Sequence, residues 1–313
     1  MSSLPAFRAE ALYSKSKIFI AKGLRAKQAG DLAEYQLWAS LALELVGKSA
    51  LAKINPVLVA DPTHVESLFA ACGRTLSPDV KSISAKTVFD RLAHISKDFD
   101  LRVRKFCEQM ALRRNADLHS GESPFSGMTA ESWEKGYWYA AEVILRVQGE
   151  SLDSWLGTAD AKAPKDALEH GTQAMIWAVK ERIERFRDDF LKRNQNPTAR
   201  KELIDRTHTI APVFDIKVFD LEADGYEFAK CPACEAHAVI GGVIWDEQVS
   251  EDIDPDNPWV EFVNETYLSE EFHCPTCGLH LNGRREIGAT DLPEEFYKVE
   301  EREREFEPEY GNE

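Results

Sequence analysis

The sequence predicts an α+β multidomain protein, with a helical N-terminal bundle, a long connecting helix and a β-rich C-terminal domain. Apolar residues recur at helical spacing through the first 150 residues, whereas segments after residue 213 alternate as strands do. The balance of basic and acidic residues also differs between the N-terminal and C-terminal parts. Residues 1–200 carry 29 basic and 25 acidic side chains, and residues 201–313 carry 9 and 29.

These observations predict three regions. Residues 1–150 form the helical bundle, residues 151–200 form a linker and a long helix, and residues 201–313 form an acidic domain with an acidic tail. At 313 residues the chain is long enough for two cores.

Turn and capping residues separate the helices of the first region. Gly30 is expected to end the first helix and Asp31 to cap the second. The predicted helices cover residues 5–30, 31–53, 62–75, 78–98, 100–119 and 129–150.

The fifth predicted helix carries a charged residue in phase with its apolar stripe. Arg114 follows Cys107 by seven residues and Met110 by four, so it is expected to face inward. A buried arginine is costly unless it is paired, and Asp117 or Glu44 could serve.

Glu44 and Lys48 lie four residues apart on the second predicted helix. They could form a salt bridge at the edge of the core or give polar support to an active site.

Two paired helices, residues 5–53, are followed further along the chain by a helix that ends Arg114-Asn115-x-x-x-His119 before a loop with Gly121. This order of helices and this motif resemble the HEPN superfamily. The resemblance covers residues 5–150. It implies an all-α bundle, a homodimer and a metal-independent endoribonuclease whose catalytic residues are Arg114, Asn115 and His119. Some members continue His-x-Tyr, whereas this chain has His119-Ser-Gly121, so a tyrosine-dependent variant is not expected.

The chemistry of these side chains fits the cleavage of RNA by its own 2′-hydroxyl group. A histidine can move the proton of that hydroxyl or protonate the leaving oxygen near neutral pH. A fixed guanidinium can stabilise the charge that develops on phosphorus. His119 and Arg114 suit these roles, and Asn115 can orient the imidazole. The alternative is that Arg114 and His119 are structural.

The four cysteines of the C-terminal region form two Cys-x-x-C pairs, Cys231/Cys234 and Cys274/Cys277. Two such pairs predict a closed tetrahedral site for one structural zinc ion per chain. His237 and His280 lie three residues after the second cysteine of each pair, and we expect them to be neighbours of the site or surface residues rather than ligands.

The middle region is predicted to be a loop over residues 151–164 and a long helix over 165–194. Its apolar residues are spaced as in a short coiled coil, which could contact a second chain or pack on the first domain. They are Ile176, Val179, Ile183, Phe186 and Phe190.

Strands are predicted for the C-terminal region at 214–221, 237–245, 259–263 and 279–287, with a loop over 252–258. The strand at 237–245 is interrupted by Gly241-Gly242. The acidic tail, 300–313, is expected to be partly helical and then disordered.

Composition limits the location and the partners. No apolar run approaches the length of a membrane span, the N-terminus does not read as a secretory signal, and paired thiols favour a reducing compartment, so a cytoplasmic protein is expected. The acidic C-terminal domain would repel DNA, which disfavours DNA recognition by that domain.

Two functions of different classes remain open at this stage. The first is an endoribonuclease of the HEPN type acting on RNA, for which the resemblance implies a toxin or an antiviral-defence effector. The second is a non-catalytic HEPN homodimer that binds a protein partner through its acidic zinc ribbon. A nuclease needs Arg114 and His119 together in an open cleft, whereas an adaptor can bury or separate them.

Overall fold

The computed structural model describes residues 5–209, 223–250 and 259–304. The chain divides into two compact units, Met1–Thr172 and Gln173–Glu313. The architecture is mixed α+β, with helices in the first unit and an antiparallel sheet in the second. The division falls inside one long helix, so that the residues of the helix up to Thr172 belong to the first unit and those from Gln173 onward belong to the second.

The helices of the first unit surround one apolar core. They are α1 (Ala9–Gln28), α2 (Leu32–Ile54), α3 (Val65–Ala71), α4 (Ala85–Ala93), α5 (Leu101–His119), α6 (Glu134–Val147), α7 (Leu152–Leu156) and the first part of α8 (Thr158–Arg193).

The turn between α1 and α2 forms as the sequence predicts. Gly30 adopts a left-handed conformation with a φ of 83°. The Asp31 side chain accepts a hydrogen bond from the Glu34 amide at 2.9 Å and caps α2. Tyr137 and Ile144 lie seven residues apart, a spacing that predicts one apolar face, and α6 buries both.

Helix α4 is shorter than predicted, because residues 78–84 do not join it. The Asp61 amide donates to the Lys81 carbonyl at 3.0 Å, and the Ile83 amide donates to the Val59 carbonyl at 3.0 Å. This extended pairing satisfies the backbone groups that a helix would otherwise use. Ser84 then caps α4 by accepting from the Thr87 amide.

The loop predicted for residues 151–164 is instead mostly helical. Ser151 and Ser154 form a capping box at the start of α7. Gly157 ends α7 with a φ of 87°, and α8 begins at the next residue. Pro164 lies inside α8, within its first two turns, and does not end it.

The second unit contains the rest of α8, a further helix α9 (Pro197–Thr209), a short helix α10 (Arg284–Ile287) and a five-stranded antiparallel sheet. The strands are β1 (Gly225–Lys230), β2 (His237–Val249), β3 (Val260–His273), β4 (His280–Asn282) and β5 (Glu295–Glu303).

The long strand β3 organises this sheet. It pairs with β2 on one edge, whereas β4 and β5 follow one another along the other edge, and β1 pairs with β2. The register of β2 and β3 shifts at Gly241/Gly242, where the sequence predicts an interruption. Gly242 has no room for a side chain, since a Cβ atom would lie 2.6 Å from the Leu268 carbonyl oxygen.

Two predictions for this region need correction. Residues 300–303 belong to β5 rather than to a helix, because they pair with 260–263 of β3. The predicted strand 279–287 is divided into β4 and α10 by Gly283, whose φ is 96°. The predicted strand 214–221, the loop 252–258 and the tail beyond residue 304 lie outside the described residues.

The N-terminal part of α8 packs on the helical core, in which Ala161 and Leu168 are buried, but the predicted apolar seam further along the helix does not. Its residues Val179, Ile183 and Phe190 are buried in the core that contains the four cysteines. The apolar seam of α8 therefore stabilises the cysteine-containing unit.

Candidate functional site

Arg114 lies at the contact between α5 and α2 and is only 7% exposed. The two helices run parallel here. The Ser40 hydroxyl donates to the Met110 carbonyl at 3.0 Å, and four residues further along both helices the Arg114 guanidinium pairs with Glu44. The sequence-based expectation that Arg114 faces inward and needs a carboxylate is therefore met by Glu44.

A network of polar groups fixes the guanidinium. Arg114 donates through Nη2 to Asn115 Oδ1 at 2.8 Å and through Nη1 to Glu44. Lys48 donates to Glu44 at 2.6 Å and to the Ser82 hydroxyl at 3.0 Å. Ser82 lies in the extended segment before α4, and no feature of the sequence pointed to it.

The network has a surplus of positive charge. Burial raises the pKa of Glu44, but the charges and hydrogen bonds of Lys48 and Arg114 outweigh that effect and hold the pKa below its ordinary value. One carboxylate thus faces two cations. A net charge of +1 in a mostly buried cluster favours a nearby anion.

His119 is the last residue of α5, and its side chain is exposed. Its imidazole has no hydrogen bond or ion pair with the residues that the structure describes. Five residues along an α-helix correspond to a rise of about 7.5 Å and a rotation of about 140°. His119 therefore diverges from Arg114 around the axis of α5, and a single chain does not direct both side chains at one point.

Asn115 is exposed, and its side-chain oxygen accepts hydrogen bonds from Arg114; among the described contacts none joins it to His119, whose imidazole it was expected to orient. Leu112 and Leu118 are 66% and 50% exposed on the same helix. By helical phase Leu118, four residues after Arg114, is predicted to continue the inward stripe of α5. The structure places it at the surface, because α5 extends beyond its last buried residue, Arg114.

The four cysteines come together in the second unit. Cys231, Cys234, Cys274 and Cys277 are buried, and their sulfur atoms lie within 4.8 Å of one another. The Cys231 and Cys277 sulfurs are 3.7 Å apart, and the Cys234 and Cys274 sulfurs are 3.5 Å apart. A disulfide needs about 2.05 Å, so all four thiols are free.

Both cysteine pairs adopt the same turn. The Glu235 amide donates to the Cys231 carbonyl at 2.9 Å, and the Gly278 amide donates to the Cys274 carbonyl at 2.8 Å. Glu235 and Gly278 have φ angles of 65° and 87°. The sulfur atoms of each pair are thereby presented to the same point.

The separations of the sulfur atoms suit a tetrahedral metal ion. Metal–sulfur bonds of about 2.3 Å imply sulfur atoms roughly 3.8 Å apart. Hydrogen bonding with Cys231 lowers the pKa of the Cys274 thiol, and hydrogen bonding with Cys234 raises the pKa of Cys231. Four thiols that share protons in this way ionise together only when a cation balances their charge.

The histidines of the two cysteine motifs do not join the cluster. Among the described residues the candidate metal ligands are the four cysteines alone. His237 packs against His208, with ring centroids 4.4 Å apart, and His280 hydrogen-bonds the buried Glu271.

Arginines of α8 hold the cysteine turns from outside. Arg187 donates to the Pro232 carbonyl at 2.8 Å, and Arg193 donates to the Cys277 carbonyl at 3.3 Å. Arg182 forms a bidentate pair with Glu286 on α10. The sequence carried no signal for these contacts, because arginines on an exposed helical face are ordinary.

None of the helices in the described ranges combines the length and apolar character that crossing a lipid bilayer requires. Compared with models of protein families, with characterised proteins and with solved structures, the chain matches none of them.

Proposed function

We propose that this chain is a metal-independent endoribonuclease of the HEPN type that acts as a homodimer. The observation that carries the proposal is the placement of Arg114, whose guanidinium is fixed by Glu44 and Asn115 close to the end of α5 where His119 is exposed. A fixed cation and a free imidazole are the two groups that transfer of a phosphoryl group to the 2′-hydroxyl requires.

The divergence of Arg114 and His119 around α5 is the reason for proposing a dimer. When two copies of α5 meet through the face that carries Leu112, Asn115 and His119, two imidazoles face each other, and each Asn115 links that face to the guanidinium of Arg114 behind it. One histidine then accepts the proton of the 2′-hydroxyl while the other protonates the leaving 5′-oxygen. The exposed Leu112 supplies apolar surface for this contact.

The test is the cleavage of total RNA, tRNA and rRNA by the purified full-length protein. We expect His119→Ala to reduce cleavage by about 10²–10⁴-fold, the usual effect of removing a general acid or base. Arg114→Lys is expected to fail as well, because an ammonium group cannot replace the planar guanidinium. His170→Ala, a change at an exposed histidine of α8, should keep full activity.

Equal cleavage by the wild type and His119→Ala would reject the proposal. A nuclease of this type is also expected to arrest growth when it is overproduced, as a toxin or a defence effector would, and His119→Ala should relieve the arrest.

A second candidate is an adaptor, which the burial of Arg114 and its pairing with Glu44 favour. In an adaptor the network only ties α2 to α5, and the acidic C-terminal unit binds a protein partner. The adaptor predicts no RNA cleavage by the wild type.

We further propose that the four cysteines bind one structural zinc ion. A site closed by four thiolates leaves no position for substrate, so the ion would stabilise the fold. Elemental analysis should give one zinc per chain in the wild type and much less in Cys234→Ser. Less than half an equivalent in the wild type, or disulfides among the four cysteines, would contradict this.

A further inference from the structure

Helix α1 is unusually basic for this chain. The helix and Arg8, which directly precedes it, contain six basic residues and one acid, a net charge of +5, whereas the whole chain carries −16. Three of the basic residues, Lys15, Lys22 and Arg25, lie on one side of the helix, since residues three and seven apart share a helical face; Lys15 and Arg25 are exposed and Lys22 is half-buried. We call these three residues the basic stripe.

The charges of the basic stripe are not neutralised within the described structure. None of the three side chains forms a salt bridge with a described carboxylate. The other lysines of α1 differ, because Lys17 donates to the Ser154 carbonyl and Lys27 pairs with Glu134. The stripe is therefore a row of free cations.

Aromatic rings hold two of these cations in place without cancelling their charge. The Lys22 ammonium lies 4.2 Å from the centroid of the Trp38 ring, and the Lys15 ammonium lies 5.6 Å from that of Phe19. The two rings pack together with centroids 5.1 Å apart. Such contacts restrict flexible lysines and reduce the entropy that they lose on binding an anion.

We propose that the basic stripe binds the phosphate backbone of single-stranded RNA, outside the site at Arg114 and His119. This deepens the proposed function, because it supplies a substrate-binding surface on a second helix. Free cations beside partly exposed aromatic rings are the elements with which proteins bind single strands without sequence preference. The acidic excess of the chain lies in residues 201–313, which would repel a polyanion, whereas α1 would attract one and guide the strand.

The experiment measures binding of a fluorescent single-stranded RNA by anisotropy over a range of salt concentrations. Three proteins are compared, and all carry His119→Ala, so that the RNA stays intact. The reference protein has no other change. The test variant adds Lys15→Gln, Lys22→Gln and Arg25→Gln. The matched control adds Lys86→Gln, Lys162→Gln and Lys180→Gln, which remove three exposed charges from other helices.

We expect the test variant to bind at least tenfold more weakly at low salt. Its plot of log affinity against log salt should be less steep by about 2, because each lost phosphate contact on a single strand contributes about 0.7. The control should keep the slope of the protein that carries His119→Ala alone. An unchanged slope in the test variant, or an equal change in the control, would overturn the proposal.

A cleavage assay separates this proposal from the proposed function. With His119 intact, the stripe variant should lose activity on long RNA but cut a dinucleotide, too short to reach α1, at the wild-type rate. If no protein cuts any RNA, the endoribonuclease proposal fails while the binding result still decides the role of the stripe. Equal loss on the long and the short substrate would overturn the role of the stripe.

Discussion

At the scale of single residues, the pairing of Arg114 with Glu44 links the fold to the proposed chemistry. The same carboxylate stabilises the α2–α5 contact and sets the orientation of the guanidinium. Lys48 shares that carboxylate, so one negative charge faces two positive ones. A change at Glu44 should therefore alter both stability and activity.

Replacing Glu44 by Gln should lower the free energy of unfolding by about 3 kcal/mol at pH 7, because it leaves two mostly buried cations without their carboxylate. The pKa of Glu44 is lowered in the folded state. Its contribution is thus fully present above the ordinary carboxyl pKa and is lost as the pH falls through the lower, folded value.

Denaturant unfolding followed by circular dichroism, repeated between pH 7 and pH 2, measures this effect. The difference between the wild type and Glu44→Gln should shrink below about pH 4. Glu10→Gln, at an exposed glutamate of α1, should change stability little at any pH. A difference that stays constant with pH would show that the charge of Glu44 is not the cause.

Much of this cluster could be predicted from the sequence, because helical phase alone places Arg114 inward and the cost of a buried charge demands a partner. Helical phase does not identify whether Glu44 or Asp117 pairs with Arg114, since the partner depends on which helix packs beside α5. Ser82 could not be predicted either, because it reaches Lys48 through an extended segment whose pairing is set by the fold.

At the scale of elements, α8 depends on the cysteine site. Its apolar seam and its arginines contact the turns that carry the cysteines, so those contacts exist only while the turns are formed. The sequence predicted the seam of α8 but not its partner. Spacing identifies which residues of a helix are buried, and it does not identify the surface that buries them.

Loss of one cysteine ligand should therefore release α8 together with the sheet. In Cys234→Ser, amide hydrogen exchange should become fast in β1, β2 and residues 179–193 of α8, while α2, α5 and α6 keep wild-type protection. The helical unit keeps its structure because it has its own core.

Cys72→Ser is the matched control, because Cys72 is exposed and belongs to the other unit. It should leave exchange unchanged throughout. Protection of residues 179–193 that survives Cys234→Ser would contradict the dependence of α8 on the cysteine site.

At the scale of the whole molecule, the proposed active site requires two copies of the chain. Leu112→Glu should convert the dimer into a monomer and abolish RNA cleavage, since it places a charge in the proposed α5 contact. Leu76→Glu, at another exposed leucine, should remain dimeric and active. Light scattering at micromolar concentration measures the mass, and a wild type that is strictly monomeric would count against the dimer.

The division into helical and sheet-containing regions followed from periodicity and charge, which reflect local structure and composition. The start of α8 did not follow from the sequence. Pro164 predicts the end of a loop, whereas the fold accepts this proline within the first turns of a long helix. Where local signals and tertiary packing disagree, packing decides.

The chemistry of the RNA ends tests the central claim most directly. RNA incubated with the wild-type protein in EDTA should yield fragments with a 2′,3′-cyclic phosphate and a 5′-hydroxyl, because attack by the 2′-hydroxyl needs no metal-bound water. A substrate with a 2′-deoxy group at the cleavage position should remain intact. Fragments with a 5′-phosphate, or cutting of the deoxy substrate, would contradict the account.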